Sequence, residues 1–300
     1  MTPDASASWP WPAPYDFVET TRLLRTGAND PCFRREPDGF VRATLTGSGP
    51  ACVRVRVAAG ERILGDAWGP GAGAALRDVP RWLGLDEPPW VLPAHPVTDR
   101  LLRRHPGLRL TNTGNVFEAL TVTVLQQLVT WQEAAFTWRR LVRNYGELAP
   151  GPGGLYVMPA PAALRRAGVD RLVALGLGVR RAETLIEVAF AASRLQRAAA
   201  LSTASAAQLL QQVRGVGPWT SAMTLGLYLG RPEPVVYGDV HLPHTVGWAL
   251  AREPRGDDRR MQALLEPFGG QAFRVIRLLH AARIEAPRRA PKHPIRFGRR

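Results

Sequence analysis

The chain has 300 residues, 45% of them hydrophobic, and a formal net charge of +14. That length and apolar content support a sizeable core in one large or two medium domains and exclude a disordered chain. The basic excess, nearly all of it arginine, suits a polyanionic partner bound through its phosphates, although a GC-rich genome would also favour Arg over Lys. No apolar run approaches the roughly 18 residues of a membrane span, and no charged-then-apolar signal opens the chain. The expectation is an intracellular, cytoplasmic protein without membrane contact.

Residues 1–13 are rich in Pro, Ala and Ser and are expected to form a flexible N-terminus. From 16 to about 67 the pattern alternates. Phe40-Val41-Arg42-Ala43-Thr44-Leu45 and Cys52-Val53-Arg54-Val55-Arg56-Val57 place apolar and polar residues on opposite faces, which predicts an antiparallel sheet with one face buried. Gly69-Pro70-Gly71-Ala72-Gly73 lacks a following Gly-Lys-Ser/Thr and is a connector rather than a phosphate loop. A helical patch over 75–83 and a Pro-rich linker over 87–96 close this first region.

From Asn115 the chain turns helical, with Asn115 and Glu118 spaced as an N-cap pair. Phe117, Leu120, Val124, Leu128, Trp131, Ala135, Trp138 and Val142 then recur at helical steps. Further helices are predicted over 161–167, 169–175, 180–193, 206–213, 219–229, 241–251, 257–267 and 271–282, with short Gly or Pro turns between them. The fold class is therefore α+β: an N-terminal α+β domain over 14–108 with a small antiparallel sheet, then an all-helical domain over 109–285. The last residues, 286–300, form a basic tail whose prolines oppose a helix; it is either a disordered phosphate-contacting arm or a solubilising segment.

The densest signal is Val213-Arg214-Gly215-Val216-Gly217-Pro218-Trp219-Thr220-Ser221-Ala222, followed by Tyr237-Gly238-Asp239. Two glycines around one apolar residue make a tight turn, and amides at such a turn before a helix favour a phosphate oxygen. The helix then leads to a loop that delivers one carboxylate. On residues alone Asp239 is either a reactive acid or an ordinary helix N-cap. Likewise Trp219 is either a pocket wall or a core indole. His241 and His244 lack a suitable third ligand nearby, so no metal site is expected.

This stretch resembles the helix-hairpin-helix (HhH-GPD) DNA glycosylases, within them the branch of 3-methyladenine DNA glycosylase II. Ordered matches extend the resemblance from about residue 14 to about residue 285. They include Pro14-Tyr15-Asp16-Phe17, His105-Pro106-Gly107-Leu108-Arg109-Leu110, Phe117-Glu118, Val124-Leu125-Gln126-Gln127-Leu128-Val129-Thr130, Tyr145-Gly146-Glu147, Leu175-Gly176 and Arg181-Ala182-Glu183-Thr184-Leu185-Ile186.

The resemblance implies a helical HhH-GPD catalytic domain and a monofunctional glycosylase of base excision repair. It would hydrolyse the N-glycosidic bond of alkylated purines in double-stranded DNA after base flipping and leave an abasic site. Asp239 would be catalytic, with Trp219, Tyr237, Phe268 and Gln127 at the base pocket. Leu128 would wedge into the duplex, although it also fits the helix's apolar repeat. Arg214, Gly215, Val216, Gly217, Pro218 and Thr220 would contact DNA.

At Trp219, bifunctional relatives carry a lysine nucleophile, which this chain lacks. Met223 stands where the resembled branch carries a tyrosine. No cofactor is expected beyond a monovalent cation at the hairpin carbonyls: Cys32 and Cys52 alone cannot ligate the iron–sulfur cluster of one branch. A monomer is expected, with alkylated double-stranded DNA as its partner. The rival readings are a non-catalytic DNA-binding protein and an oxidised-purine glycosylase with lyase activity.

Overall fold

The computed structural model describes residues 1–58 and 62–287; the basic tail expected over 286–300 lies outside the described residues from 288 on. The N-terminal region is built on a five-stranded antiparallel sheet in the order β1-β5-β4-β3-β2. Its strands are β1 (Ala5–Pro10), β2 (Phe33–Glu36), β3 (Gly39–Thr46), β4 (Gly49–Ala58) and β5 (Arg62–Trp68). Helix α1 (Phe17–Thr21) precedes β2, and α2 (Ala72–Trp82) covers one face of the sheet. Phe40, Val53, Val55, Ile63 and Ala67 pack there with Ala75, Leu76, Val79 and Trp82 of α2.

The flexible N-terminus expected over residues 1–13 is instead partly an edge strand. Ala5, Ala7 and Trp9 pair opposite Ala67, Gly65 and Ile63, and all three pack against the sheet core. Ser6 turns outward, its hydroxyl donating to Asp66 at 2.7 Å. Small residues hid this period-two alternation. Gly65 makes the strand possible, since a Cβ there would lie 2.8 Å from the Trp9 ring.

A helix that the Pro-rich linker concealed follows: α3 (Pro96–Arg104), which packs on the far C-terminal helix. The helical region proper comprises α4 (Val116–Leu125), α5 (Trp131–Tyr145), α6 (Pro161–Ala174), α7 (Val179–Leu195), α8 (Thr203–Gln211), α9 (Pro218–Met223), α10 (Leu242–Ala251), α11 (Asp258–Leu265) and α12 (Ala272–Ala281). A two-residue hairpin, β6 (Glu147–Leu148) with β7 (Tyr156–Val157), interrupts it. Gly168, in left-handed backbone at φ 72°, breaks α6 where two helices were expected.

Helix α4 is central. Every residue in it except Glu118 is buried, and it packs on α5, α7 and α9. Asn115 caps it as expected, accepting the Glu118 amide at 3.0 Å. The apolar repeat from Phe117 to Val142 is nonetheless not one helix. Thr130 and Glu133 form a reciprocal capping box that starts α5 afresh. The chain between the helices makes a turn, and Leu128 falls in it rather than on a core face.

The two regions are tied by a buried guanidinium. Arg42 of β3 stacks over Trp82, 4.4 Å from the ring centroid, and donates to Glu118 of α4 at 2.6 Å. Among the described residues, no helix is long and apolar enough to cross a membrane.

Candidate active site and nucleic-acid interface

The turn after α8 and the start of α9 form a helix–hairpin–helix. Gly215 sits at φ 87°, and a Cβ there would lie 1.9 Å from the Thr184 hydroxyl of α7, so only glycine lets the hairpin seat on that helix. Val216 is buried and anchors the turn, while Arg214, Gly215 and Pro218 are exposed. Arg214 thus presents its guanidinium to solvent; Val216 and Gly217 can offer a ligand only backbone. The Val213 carbonyl already accepts the Val216 amide at 3.0 Å, the Gly215 carbonyl accepts from Gln127, and the Gly217 carbonyl accepts the Ser221 amide at 3.0 Å.

Gln127 links the α4–α5 turn to this hairpin. Its Nε2 donates to the Gly215 carbonyl and to the Thr220 hydroxyl, both at 2.9 Å. The side chain amide nitrogen is therefore turned to the hairpin rather than to a base pocket. Thr220 is likewise not a DNA-facing residue: it is buried beneath the hairpin, where its hydroxyl receives Gln127. The next residue points the other way. Leu128 is 99% exposed and holds left-handed backbone at φ 55°. A branched apolar side chain in that conformation, wholly in water, contributes nothing to folding and costs backbone energy.

Twenty residues beyond Trp219, the loop before α10 delivers Asp239. Gly238 permits the approach at φ 78°, and its amide donates to Asp258 of α11 at 2.8 Å. The Asp239 carboxylate has three N–H donors. Oδ1 accepts the amides of His241 and Leu242 at 2.8 Å each, and Oδ2 accepts the Trp219 indole Nε1 at 2.9 Å. The helix-start contacts are therefore present, and a reactive acid at this position is compatible with them. The α10 amides orient the carboxylate at the positive end of a helix, and the indole holds its other oxygen. Among the described residues no Lys or Arg forms an ion pair with Asp239, so its charge is not cancelled by a neighbour.

Trp219 and Asp239 are half-buried, as is Tyr237 in the same loop, and Val240 beside them is exposed. Phe268, expected in the pocket wall, is instead core. It is 3% exposed with its ring 5.9 Å from that of His95, because the turn between α11 and α12 folds it inward.

Two residues escaped sequence reasoning. His280 of α12 lies within electrostatic reach of Asp239, which favours its protonation. Burial outweighs that and, with Arg277, holds the imidazole down to about 4. Arg277 is fully buried and donates to the Glu19 carbonyl; burial and Arg22 lower it to about 10. Both sit in the apolar run of α12, where no pattern marks them off.

Residues 121–269 match the family described as HhH-GPD superfamily base excision DNA repair protein. Residues 121–269 belong to the HhH-GPD superfamily. The hairpin, Trp219 and Asp239 all lie inside this HhH-GPD domain, whereas the sheet and α12 lie outside it. The chain is 35% identical over 124 residues to DNA-3-methyladenine glycosylase 2 of Escherichia coli (strain K12), covering 41% of this chain and 44% of that protein. It is 28% identical over 158 residues to a DNA-3-methyladenine glycosylase of Bacillus subtilis (strain 168), covering 51% and 52%. The chain thus spans about half the length of the curated relatives it matches. Its fold, sheet included, resembles a 3-methyladenine DNA-glycosylase from Archaeoglobus fulgidus, with a TM-score of 0.77 at 19% identity over 91% of this chain and 96% of the other.

Proposed function

We propose that this chain is a monofunctional DNA glycosylase of base excision repair. It would act as a monomer inside the cell, on double-stranded DNA containing alkylated purines such as 3-methyladenine. The observation that carries this reading is the Asp239 carboxylate, fixed by the Trp219 indole and the His241 and Leu242 amides, in a chain whose hairpin is joined through Gln127 to the turn from which Leu128 projects.

The proposed sequence of events begins at the backbone. The hairpin amides, with Arg214, take a phosphate and bend the strand towards the site. The target nucleotide leaves the stack and Leu128 fills the gap it vacates. As the N-glycosidic bond lengthens, positive charge develops on the sugar, and Asp239 stabilises that oxocarbenium-like centre. The alkylated base departs as a neutral purine with the bond's electron pair, water adds at the anomeric carbon and gives its proton to solvent, and an abasic site remains.

Trp219 has no nucleophilic nitrogen, so no covalent sugar adduct forms and the strand stays intact. A base methylated at a ring nitrogen is cationic, and a cation over an indole face gains roughly 0.5–2 kcal/mol. That preference, and the easier extrusion of damaged pairs, would provide selectivity without sequence readout.

Incubating the protein with methylated duplex DNA tests the reading. Release of free 3-methyladenine, with strand breaks only after alkali, is expected. Breaks without alkali would assign a lyase, and no released base would leave only a DNA-binding protein.

A further inference from the structure

A cavity between α3, the C-terminal half of α10 and the segment after α12 plays no part in the chemistry above. It encloses about 250 Å³, and its lining includes Leu101, Trp248, Ile284, Arg100, Arg104 and Arg252. Leu101 is buried and Trp248 half-buried, whereas the arginines are exposed, which gives an apolar floor and a cationic rim. Arg252 closes α10 in left-handed backbone at φ 60°, with its guanidinium 5.5 Å from the Trp248 ring centroid. A non-glycine residue adopts that conformation at a cost. Arg100 and Arg104 stand one turn apart on α3, a mildly repulsive arrangement. Among the described residues none of the three forms an ion pair; the neighbouring Glu253 pairs with Arg260 instead.

The occupant of such a cavity must bring both apolar surface and negative charge. A DNA phosphodiester brings charge but no apolar side chain to cover Leu101 and Trp248. The volume lies below the roughly 300–1,000 Å³ of ordinary small-molecule pockets and suits a single large side chain. The chain's own C-terminal residues are unsuited, since from 288 to 300 they include six Arg or Lys and no acid. The cavity also lies apart from Asp239: Trp248 is six residues beyond Leu242, about 9 Å along α10 at 1.5 Å per residue.

We propose that this cavity docks an acidic peptide segment of a partner protein. One large apolar side chain of the peptide enters against Trp248 and Leu101, and its carboxylates pair with Arg100, Arg104 and Arg252. Docking there leaves the hairpin and Asp239 free for DNA.

The probe is a fluorescein-labelled peptide, Asp-Asp-Glu-Asp-Phe, titrated with the full chain at about 0.15 M salt, where surface attraction is screened. Its anisotropy should rise on binding. Affinity should fall at least about tenfold when the peptide's Phe becomes Ala, and by a similar factor in the Arg100→Ala/Arg104→Ala double variant. That variant changes only exposed side chains, so its melting temperature and its base release from methylated duplex should match the wild type. Equal binding of the Phe and Ala peptides would reduce the effect to general charge attraction and overturn the proposal. So would wild-type affinity in the double variant, or no binding at all. Displacement of the peptide by saturating undamaged duplex would assign the surface to the DNA track instead.

Discussion

Leu128 combines two choices that folding disfavours, full exposure of an apolar side chain and left-handed backbone without glycine. Replacing it with Ala should leave stability within about 0.5 kcal/mol, as for ordinary surface sites. Base release from a fully paired duplex should fall by about tenfold or more, because nothing fills the vacated stack. The loss should shrink when the lesion sits in a mismatch that opens readily. Equal rates for the two proteins on paired DNA would remove the wedge role. Trp219→Phe keeps the ring but deletes the 2.9 Å bond to Asp239. Single-turnover release should slow by about ten- to a hundredfold, since a donor to the carboxylate proposed to react is lost. An unchanged rate would make the indole packing alone. At this scale the sequence indicated Asp239 and Trp219 through the hairpin and the loop after it. It could not show that the two touch, nor that Thr220 and Gln127 turn towards each other, because side-chain direction depends on how α9 packs against the α4–α5 turn.

The hairpin depends on its closest approach, that of Gly215 to Thr184. Gly215→Ala puts a methyl into that hydroxyl and forces left-handed backbone on a residue that resists it. The cost should be about 2–4 kcal/mol, read as a lower melting midpoint and weaker DNA binding. Thr184→Gly in the same chain should recover part of both by vacating the contact. A variant as stable as wild type would mean that the hairpin shifts freely on α7. Elements were legible where periodicity and caps agreed, as in α4 with Asn115, α6 with its Gly168 break, and the β3–β4 hairpin. They were illegible where one signal masked another. Apolar spacing ran through the α4–α5 break, which the Thr130–Glu133 capping box imposes. A Pro-rich approach hid α3, and small residues hid β1.

Across the whole molecule, the sheet and helical regions share buried polar groups, and two of these give stability opposite pH dependences. His280 is held at about 4 by burial and Arg277, against an ordinary value of 6.5. Its neutral form is therefore favoured in the fold, and the stability this brings is lost as pH falls from about 6.5 towards 4. Asp30 accepts the Trp138 indole at 2.8 Å, and burial raises it from 3.8 to about 6. That carboxyl favours the fold in its protonated form, so its contribution is lost as pH rises from about 4 through 6. Between these limits the two oppose each other. His280→Gln should abolish the acid-side loss, worth about 1–2 kcal/mol after allowing for partial exposure. Thermal melts should then show the variant gaining more stability than the wild type, by up to about 1 kcal/mol, between pH 7 and pH 5. Identical pH profiles would show that His280 is not held neutral by the fold. Nothing in the sequence announced these groups, because their behaviour arises from contacts between distant segments.

The most direct measurement is on Asp239→Asn, a change that preserves size and leaves one oxygen to receive the His241 and Leu242 amides. Two readouts separate chemistry from binding: single-turnover release of 3-methyladenine from methylated duplex, and affinity for duplex containing an abasic site. Release should fall by about a thousandfold or more, with abasic-site affinity within a few fold of wild type. Release at the wild-type rate would contradict the assignment of the reacting carboxylate to Asp239, and with it the proposed chemistry.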